Sequence, residues 1–171
     1  MERALELANK EPQYRIPWIV FDRDQVKGFD DIIQTAEKSG VGVGWSNPCF
    51  EIWMYAYFGE MPVIQASYTC CDRFADKFEK VTGQKYFKKD KDIYCKLVRY
   101  GNEGKAIQIA ERCYKKCIDA GKEKPSEMWL ACMVQRLVEE IRKKQFYDDV
   151  VKPYSLDLTG EYVTGIQMSV G

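Results

Sequence analysis

Two aspartates stand directly after a short apolar run near the start of the chain. Residues 16–21 read Ile-Pro-Trp-Ile-Val-Phe, which is typical of a buried β-strand, and Asp22 and Asp24 follow at once. If strand geometry continues, residues two apart point to the same side. Two carboxylates held so close repel each other unless a cation lies between them. The pattern indicates a Mg²⁺ or Mn²⁺ site. The alternative is a polar loop that leads into the next helix, because aspartate is also common in turns.

A second polar group follows the next apolar segment. Residues 41–45 predict a second strand, and Ser46, Asn47 and Glu51 come after it. The helix predicted over residues 30–39 separates the strands, so the order indicates a βαβ unit whose parallel strands end at one edge. Ser46 and Asn47 would then offer a phosphate site at a helix start, and Glu51 a third catalytic carboxylate. In the alternative, Asn47 caps the helix and Glu51 suits its positive end.

A local basic stretch lies between residues 77 and 96, with aromatic residues among its lysines. Cations bind phosphates and aromatic rings stack on unpaired bases, which favours single-stranded nucleic acid as a ligand. The alternative is a solvated, lysine-rich edge anchored by its aromatics. The residues that we assign to nucleic-acid binding are Lys85, Lys88, Lys89 and Lys91.

Composition excludes several classes of protein. The 171 residues suit one globular domain, and 26 basic residues balance 26 acidic ones, so a globally basic nucleic-acid binder is excluded. The chain has no histidine. Catalysis by Ser-His-Asp or Cys-His groups is therefore excluded, as is a histidine-ligated metal. Any catalysis has to use carboxylates, Lys, Tyr, Cys or a metal held by carboxylates.

The cysteines point to a reduced compartment. There are seven of them, an odd number, and neither a signal-peptide pattern nor a membrane-length apolar stretch is found. We therefore expect a cytoplasmic protein with free thiols and no membrane contact. A zinc site drawn from Cys70, Cys71, Cys113 and Cys117 is disfavoured against buried thiols, because no CxxC pair exists.

The chain after the second strand is predicted to be mostly helical. An aromatic helix is expected over residues 50–58, with Pro48 at the first helical position. Four more helices are expected over residues 68–81, 91–100, 105–120 and 126–144. The last carries an apolar stripe that suits the core or a homodimer contact. The predicted fold class is α/β, a small parallel sheet followed by a helix-rich half.

Two segments resemble the RloB-like family. Residues 18–25, Trp-Ile-Val-Phe-Asp-Arg-Asp-Gln, match its V-F-D-x-D strand end, and residues 45–53, Trp-Ser-Asn-Pro-Cys-Phe-Glu-Ile-Trp, match its S-N-P-x-F-E-x-W motif. Lys124-Pro125-Ser126 resembles its N-P-S-T segment more loosely. The resemblance covers about residues 1–144.

This resemblance implies a Toprim-related sheet and a metal-dependent nuclease, or a nuclease-derived domain, of prokaryotic anti-phage defence. The implied system is of the abortive-infection type and is often encoded beside an ATPase gene. It implies that Asp22 and Asp24 bind the metal and that Glu51 is the family's conserved acid. Residues 1–145 would form the family's domain, and residues 146–171 a C-terminal tail with a hairpin or an edge strand.

The chain also departs from the family pattern. The family's upstream E-G-x-x-T-E segment has no counterpart in residues 1–15, and its histidine after the F-E-x-W helix is missing from residues 54–58. We therefore expect either a fragment or a shortened member, with little or no nuclease activity by itself. The competing hypothesis is a non-catalytic module that binds an ATPase partner or nucleic acid.

Overall fold

The computed structural model describes Glu6, residues 16–24 and residues 26–146, and the predicted tail beyond them lies outside the described residues. Two parallel strands are followed by a helix-rich half, which confirms the α/β class; a Toprim-like sheet stays a prediction. No helix in these ranges is long and apolar enough to cross a membrane. The elements are β1 (Trp18–Asp22), α1 (Phe29–Lys38), β2 (Gly42–Ser46), α2 (Glu51–Tyr57), α3 (Ser67–Thr82), α4 (Ile93–Tyr100), α5 (Glu103–Asp119), a 3-10 turn (Pro125–Glu127) and α6 (Val134–Phe146).

The two strands pair in parallel, with helix α1 as the crossover between them. Trp18 pairs with Gly42 at one end of the ladder, and Asp22 pairs with Ser46 at the other. Because parallel strands run the same way, both carboxyl ends reach one edge. The pairing continues past the strands, since the Arg23 N–H donates to the Ser46 carbonyl at 2.9 Å. The segments after the two strands are thereby held side by side.

One apolar cluster holds α1 against the sheet. Phe29 and Ile33 on α1 are buried together with Trp45 of β2, Met128 and Met133. The ring of Phe29 meets the rings of Phe21 and Trp45 edge-on, with centroids 5.4 and 5.9 Å apart. Edge-on rings at these distances are favourable beyond their buried area. The cluster fixes the crossover helix over the sheet and so fixes where β1 and β2 end.

An aromatic cluster lies between α2 and α3. Phe74 and Phe78 on α3 are fully buried. The Phe74 ring contacts Tyr55 at 5.5 Å, Phe58 at 6.1 Å and Tyr86 at 4.9 Å between centroids. Tyr86 belongs to the irregular segment between α3 and α4. The cluster therefore anchors that lysine-rich segment to the core.

The helix predicted over residues 126–144 begins later than expected. Residues 125–127 form the 3-10 turn, and α6 begins only at Val134. The intervening chain runs along β2, where Met133 N–H donates to the Trp45 carbonyl at 2.7 Å and Asn47 N–H donates to the Ala131 carbonyl at 3.1 Å. Buried backbone groups need partners. Residues 128–133 therefore form hydrogen bonds with the free edge of β2, and the helix predicted for these residues is wrong.

The predicted helix start at Pro48 is wrong as well. Helix α2 begins at Glu51, with Phe50 before it. The Pro48 carbonyl accepts the Asp24 N–H at 3.0 Å and the Ser67 hydroxyl at 3.3 Å. Residues 47–50 therefore bridge to two other segments, and these contacts delay the helix by three residues.

Hydrogen bonds to the Asp30 side chain join the 3-10 turn to helix α1. The Asp30 carboxylate accepts the Ser126 N–H at 2.8 Å and its hydroxyl at 2.6 Å. Hydrogen bonds to a charged group contribute about 1.5–3 kcal/mol. We expect Ser126→Ala, which leaves the backbone bond in place, to lower the free energy of unfolding by about 1–2 kcal/mol, measured by urea titration. In an Asp30→Ala background, Ser126→Ala should change the free energy of unfolding little. An equal loss in both backgrounds would contradict a stabilising hydrogen bond between the two side chains.

Candidate functional site

The two aspartates lie at the shared carboxyl edge of the sheet. Asp22 is the last residue of β1 and is partly buried, and Asp24 is exposed on the turn that follows. The strand ends at Asp22, so the alternation assumed in the sequence prediction does not extend to Asp24. The two charges still interact, because the negative charge of Asp24 raises the pKa of Asp22. The pair is thus held together by the turn.

Asp22 has an electrostatic environment that disfavours its ionised form. Burial raises the pKa of the Asp22 carboxyl most, and the charges of Asp24 and Glu51 raise it further. A hydrogen bond from the Phe50 N–H and the positive charge of Lys88 act in the opposite direction. The net pKa lies above the ordinary value. A cation at this edge would relieve the repulsion among the carboxylates.

Glu51 lies nearby, at the first position of α2, and only 3% of it is exposed. Burial opposes its ionisation. Its own backbone N–H, the Cys49 thiol, the Lys88 charge and the Cys71 thiol outweigh that effect, and the pKa of Glu51 lies below its ordinary value. The Tyr86 hydroxyl donates to Oε1 at 3.2 Å. Glu51 is therefore an ionised, multiply hydrogen-bonded buried carboxylate.

Lys88 is the one predicted nucleic-acid-binding lysine for which the structure shows an ion pair with these carboxylates. Its Nζ lies 3.3 Å from Glu51 Oε1, and its side chain is 67% exposed. The Glu51 charge raises the pKa of Lys88. Lys85, Lys89 and Lys91 are exposed on the same segment. The solvent-facing Lys88–Glu51 pair thus joins the basic stretch to the acidic site, together with the Tyr86 hydrogen bond.

Ser46 and Asn47 are both completely buried. The Asn47 side-chain amide donates to the carbonyls of Pro125 and Ser126, at 3.0 and 3.3 Å. It does not cap α2, so that alternative is wrong. Its Oδ1 and the Ser46 hydroxyl have no hydrogen-bond partner in the described part of the chain. The contact brings the S-N-P segment against the Pro125-Ser126 segment, and the phosphate role stays a prediction.

Cysteines near Glu51 were not among the predicted site residues. The Cys49 sulfur, the Cys71 sulfur and a Glu51 carboxylate oxygen all lie within 4.8 Å of one another. No other group of three potential metal ligands in the described ranges is as compact, and Cys113 and Cys117 do not join it. The position of Cys49 two residues before Glu51 was visible in the sequence, but the approach of Cys71 depends on the packing of α3.

The donors at the sheet edge suit a hard cation in their chemistry. Mg²⁺ prefers oxygen ligands and is commonly held by one or two carboxylates together with substrate phosphates. Asp22 and Asp24 supply two carboxylates under mutual repulsion. Asp22, Asp24 and Glu51 do not converge on one point as the Cys49 group does. Asp22 and Asp24 would therefore be the direct ligands, with Glu51 adjacent.

Glu51 and Asp22 are expected to affect acid stability in opposite directions. The folded-state pKa of Glu51 is lowered, so its stabilisation is present at neutral pH and is lost as the pH falls below about 4.3. The folded-state pKa of Asp22 is raised, so protonation of Asp22 adds stability as the pH falls. Urea titrations at several pH values should show a shallower acid loss for Glu51→Gln and a steeper one for Asp22→Asn. Identical pH profiles for both variants and the wild type would contradict these shifts.

The comparisons agree with the motifs. The model of the family described as RloB-like protein matches residues 1–141, which is most of the chain. Neither the curated proteins nor the solved structures contain a significant match. The matched range includes the strand end with Asp22 and Asp24, the segment around Glu51 and the Pro125-Ser126 segment that Asn47 contacts. The chain therefore belongs to the RloB-like protein family.

Proposed function

We propose that this chain is the metal-dependent nuclease domain of a prokaryotic anti-phage system of the abortive-infection type. Asp22 and Asp24 bind Mg²⁺ or Mn²⁺, and Glu51 is the third functional carboxylate. The observation that carries the proposal is the position of Asp22, with Asp24 on the turn after it, at the shared carboxyl edge of the parallel strands, where the charges of Asp24 and Glu51 both act on Asp22. Ligands of α/β proteins bind at this edge. The family's place in defence, which the motifs imply, supports the biological role.

Each residue of the proposed site has its own role in cleavage. A bound ion would neutralise charge on a phosphodiester and activate water. Asp22 and Asp24 fix its position, and ionised Glu51 keeps the surroundings negative. The exposed Lys88 ammonium can exchange Glu51 for a substrate phosphate. The chain has no histidine to act as a general base near neutral pH. We therefore expect cleavage to be slow.

The direct experiment is a cleavage assay on labelled single- and double-stranded DNA and RNA. Reactions contain Mg²⁺, Mn²⁺ or a chelator, with the wild-type chain at several concentrations. We expect slow cleavage that requires either metal and stops with the chelator. Cleavage that persists with the chelator would contradict a metal-dependent nuclease, and no cleavage with either metal would favour the non-catalytic binding module instead.

The second candidate is a binding module for nucleic acid or for an ATPase partner. The observation that favours it is the exposure of two aromatic rings beside the lysines: Phe87, 63% exposed, lies between α3 and α4, and Tyr94, 57% exposed, lies in the first turn of α4. Exposed aromatic rings among cations suit unpaired bases. Here the carboxylates would serve only to hold Lys88 and the fold. A homodimer or an ATPase complex stays a prediction under either function.

The lysines are expected to set the salt dependence of single-strand binding. Four phosphate contacts predict a slope of log K against log salt of about −3 for a single strand. Changing Lys85, Lys88, Lys89 and Lys91 together to Ser should remove most of that slope, as measured by fluorescence anisotropy at several salt concentrations. The control changes four exposed lysines elsewhere to Ser, namely Lys105, Lys116, Lys122 and Lys124. Equal slopes in both variants would contradict a phosphate site on this segment.

A further inference from the structure

Two thiols and a carboxylate meet where α2 begins against α3. Cys49 lies two residues before Glu51 and is buried, and Cys71 on α3 is partly buried. The two sulfurs are 3.9 Å apart, and the Glu51 oxygen lies within 4.8 Å of each. The Cys49 and Cys71 thiols are both within hydrogen-bond reach of Glu51 and lower its pKa. All three residues belong to the same compact unit of the chain, residues 1–137. The proposed Mg²⁺ site does not use the two sulfurs.

The spacing of the sulfurs fits a tetrahedral metal ion. Two thiolates at about 2.3 Å from one Zn²⁺ ion lie about 3.8 Å apart at the tetrahedral angle. The observed separation of Cys49 Sγ and Cys71 Sγ is 3.9 Å. A disulfide would need these sulfurs at about 2.05 Å. The separation of a thiol–thiol hydrogen bond in the metal-free chain therefore already matches that of two ligands of a shared ion.

We propose that Cys49, Cys71 and Glu51 form a binding site for a thiophilic divalent metal ion of the Zn²⁺ class. Binding replaces the two S–H protons, so that one ion enters, two thiolate–metal bonds form and two protons leave to solvent. The Glu51 carboxylate, already ionised, supplies the third ligand. Three protein ligands leave one position for water or a substrate atom, as in catalytic zinc sites.

The site has an access route. Lys88, 67% exposed, reaches the cluster through its 3.3 Å pair with Glu51 and through a hydrogen bond with the Cys71 thiol. Movement of the Lys88 ammonium into solvent would remove the ion pair of the Glu51 carboxylate and open the carboxylate to a metal ion. The Tyr86 hydroxyl, which donates to the same oxygen of Glu51, orients the carboxylate as outer-shell partners of metal sites do.

This site goes beyond the proposed function, although it shares Glu51 with it. Sulfur ligands select soft or borderline metals, whereas carboxylates alone suit Mg²⁺ and Mn²⁺. The Cys49 site and the Asp22–Asp24 pair are thus expected to respond to different ions.

The test titrates Co²⁺ and Cd²⁺ into the reduced, metal-free chain and follows the thiolate-to-metal charge-transfer absorption. We expect one equivalent of high-affinity binding with two thiolate ligands, displaced by Zn²⁺. Cys71→Ser should weaken the affinity at least about 100-fold, because even outer-shell changes cost 10–100-fold. Cys49→Ser should do the same, and Cys71→Ser carries the test if the buried Cys49→Ser variant does not fold. Glu51→Gln should weaken the affinity but keep the charge-transfer band.

The control variants separate this site from other thiols and from the nuclease site. The Cys113→Ser/Cys117→Ser double variant and Cys95→Ser should bind Cd²⁺ like the wild type. Asp22→Asn should also leave Cd²⁺ binding intact. Unchanged affinity in Cys71→Ser, or loss in the Cys113→Ser/Cys117→Ser variant, would overturn the proposal. Failure of the nuclease assay alone would leave these absorption results standing.

Discussion

Asp22→Asn is expected to weaken Mn²⁺ binding at least about 100-fold and to remove metal-dependent cleavage in the same proportion. Asp22 is the half-buried member of the carboxylate pair, held by the Phe50 N–H, and burial and neighbouring charge raise its pKa. An amide of the same shape keeps the packing but cannot offer an anionic oxygen. It also ends the repulsion from Asp24 and Glu51. The change should therefore remove the metal without unfolding the chain.

Mn²⁺ affinity is measured by the decrease of the electron paramagnetic resonance signal of free Mn²⁺. Circular dichroism checks that the variants are folded. Asp31→Asn is the matched control, because Asp31 is an exposed aspartate on α1. Asp24→Asn should resemble Asp22→Asn, and Glu51→Gln should affect cleavage more than Mn²⁺ affinity. Equal Mn²⁺ affinity in Asp22→Asn, Asp31→Asn and the wild type would place the ion elsewhere.

Phe74→Ala is expected to lower the free energy of unfolding by about 3–5 kcal/mol, the usual cost of emptying a buried phenylalanine site. Phe74 is fully buried and its ring contacts Tyr55, Phe58, Phe78 and Tyr86. The loss removes these contacts and leaves a cavity. Because Tyr86 donates to Glu51, a relaxed Tyr86 would also loosen the acidic site.

Urea titration by circular dichroism measures this loss. Phe87→Ala is the control, since Phe87 is 63% exposed on the segment that Tyr86 anchors, and its removal should cost less than about 0.5 kcal/mol. Burial accounts for the contrast between two substitutions of the same residue type. Similar losses for both variants would show that the aromatic cluster is not the core of the helical half.

Part of this structure follows from local patterns in the sequence. Apolar runs next to polar breaks predicted both strands and the crossover helix, because alternation and helical period are properties of a few neighbouring residues. The parallel order then required Asp22 and Ser46 to reach one edge, and the register confirms this. The two motifs identified the family for the same reason, since each is contiguous.

The rest depended on contacts between distant segments. The pairing of Lys88 with Glu51, the approach of Cys71 to Cys49 and the bonds from Asn47 to Pro125 join positions 22 to 78 residues apart. The late start of α6 has the same origin, because the edge of β2 competed for residues 129–133. A local pattern states which groups a segment can offer. The packing of α2 on α3, and the backbone partners that a buried strand edge requires, decide which of these groups come into contact. Only the tertiary structure contains that information.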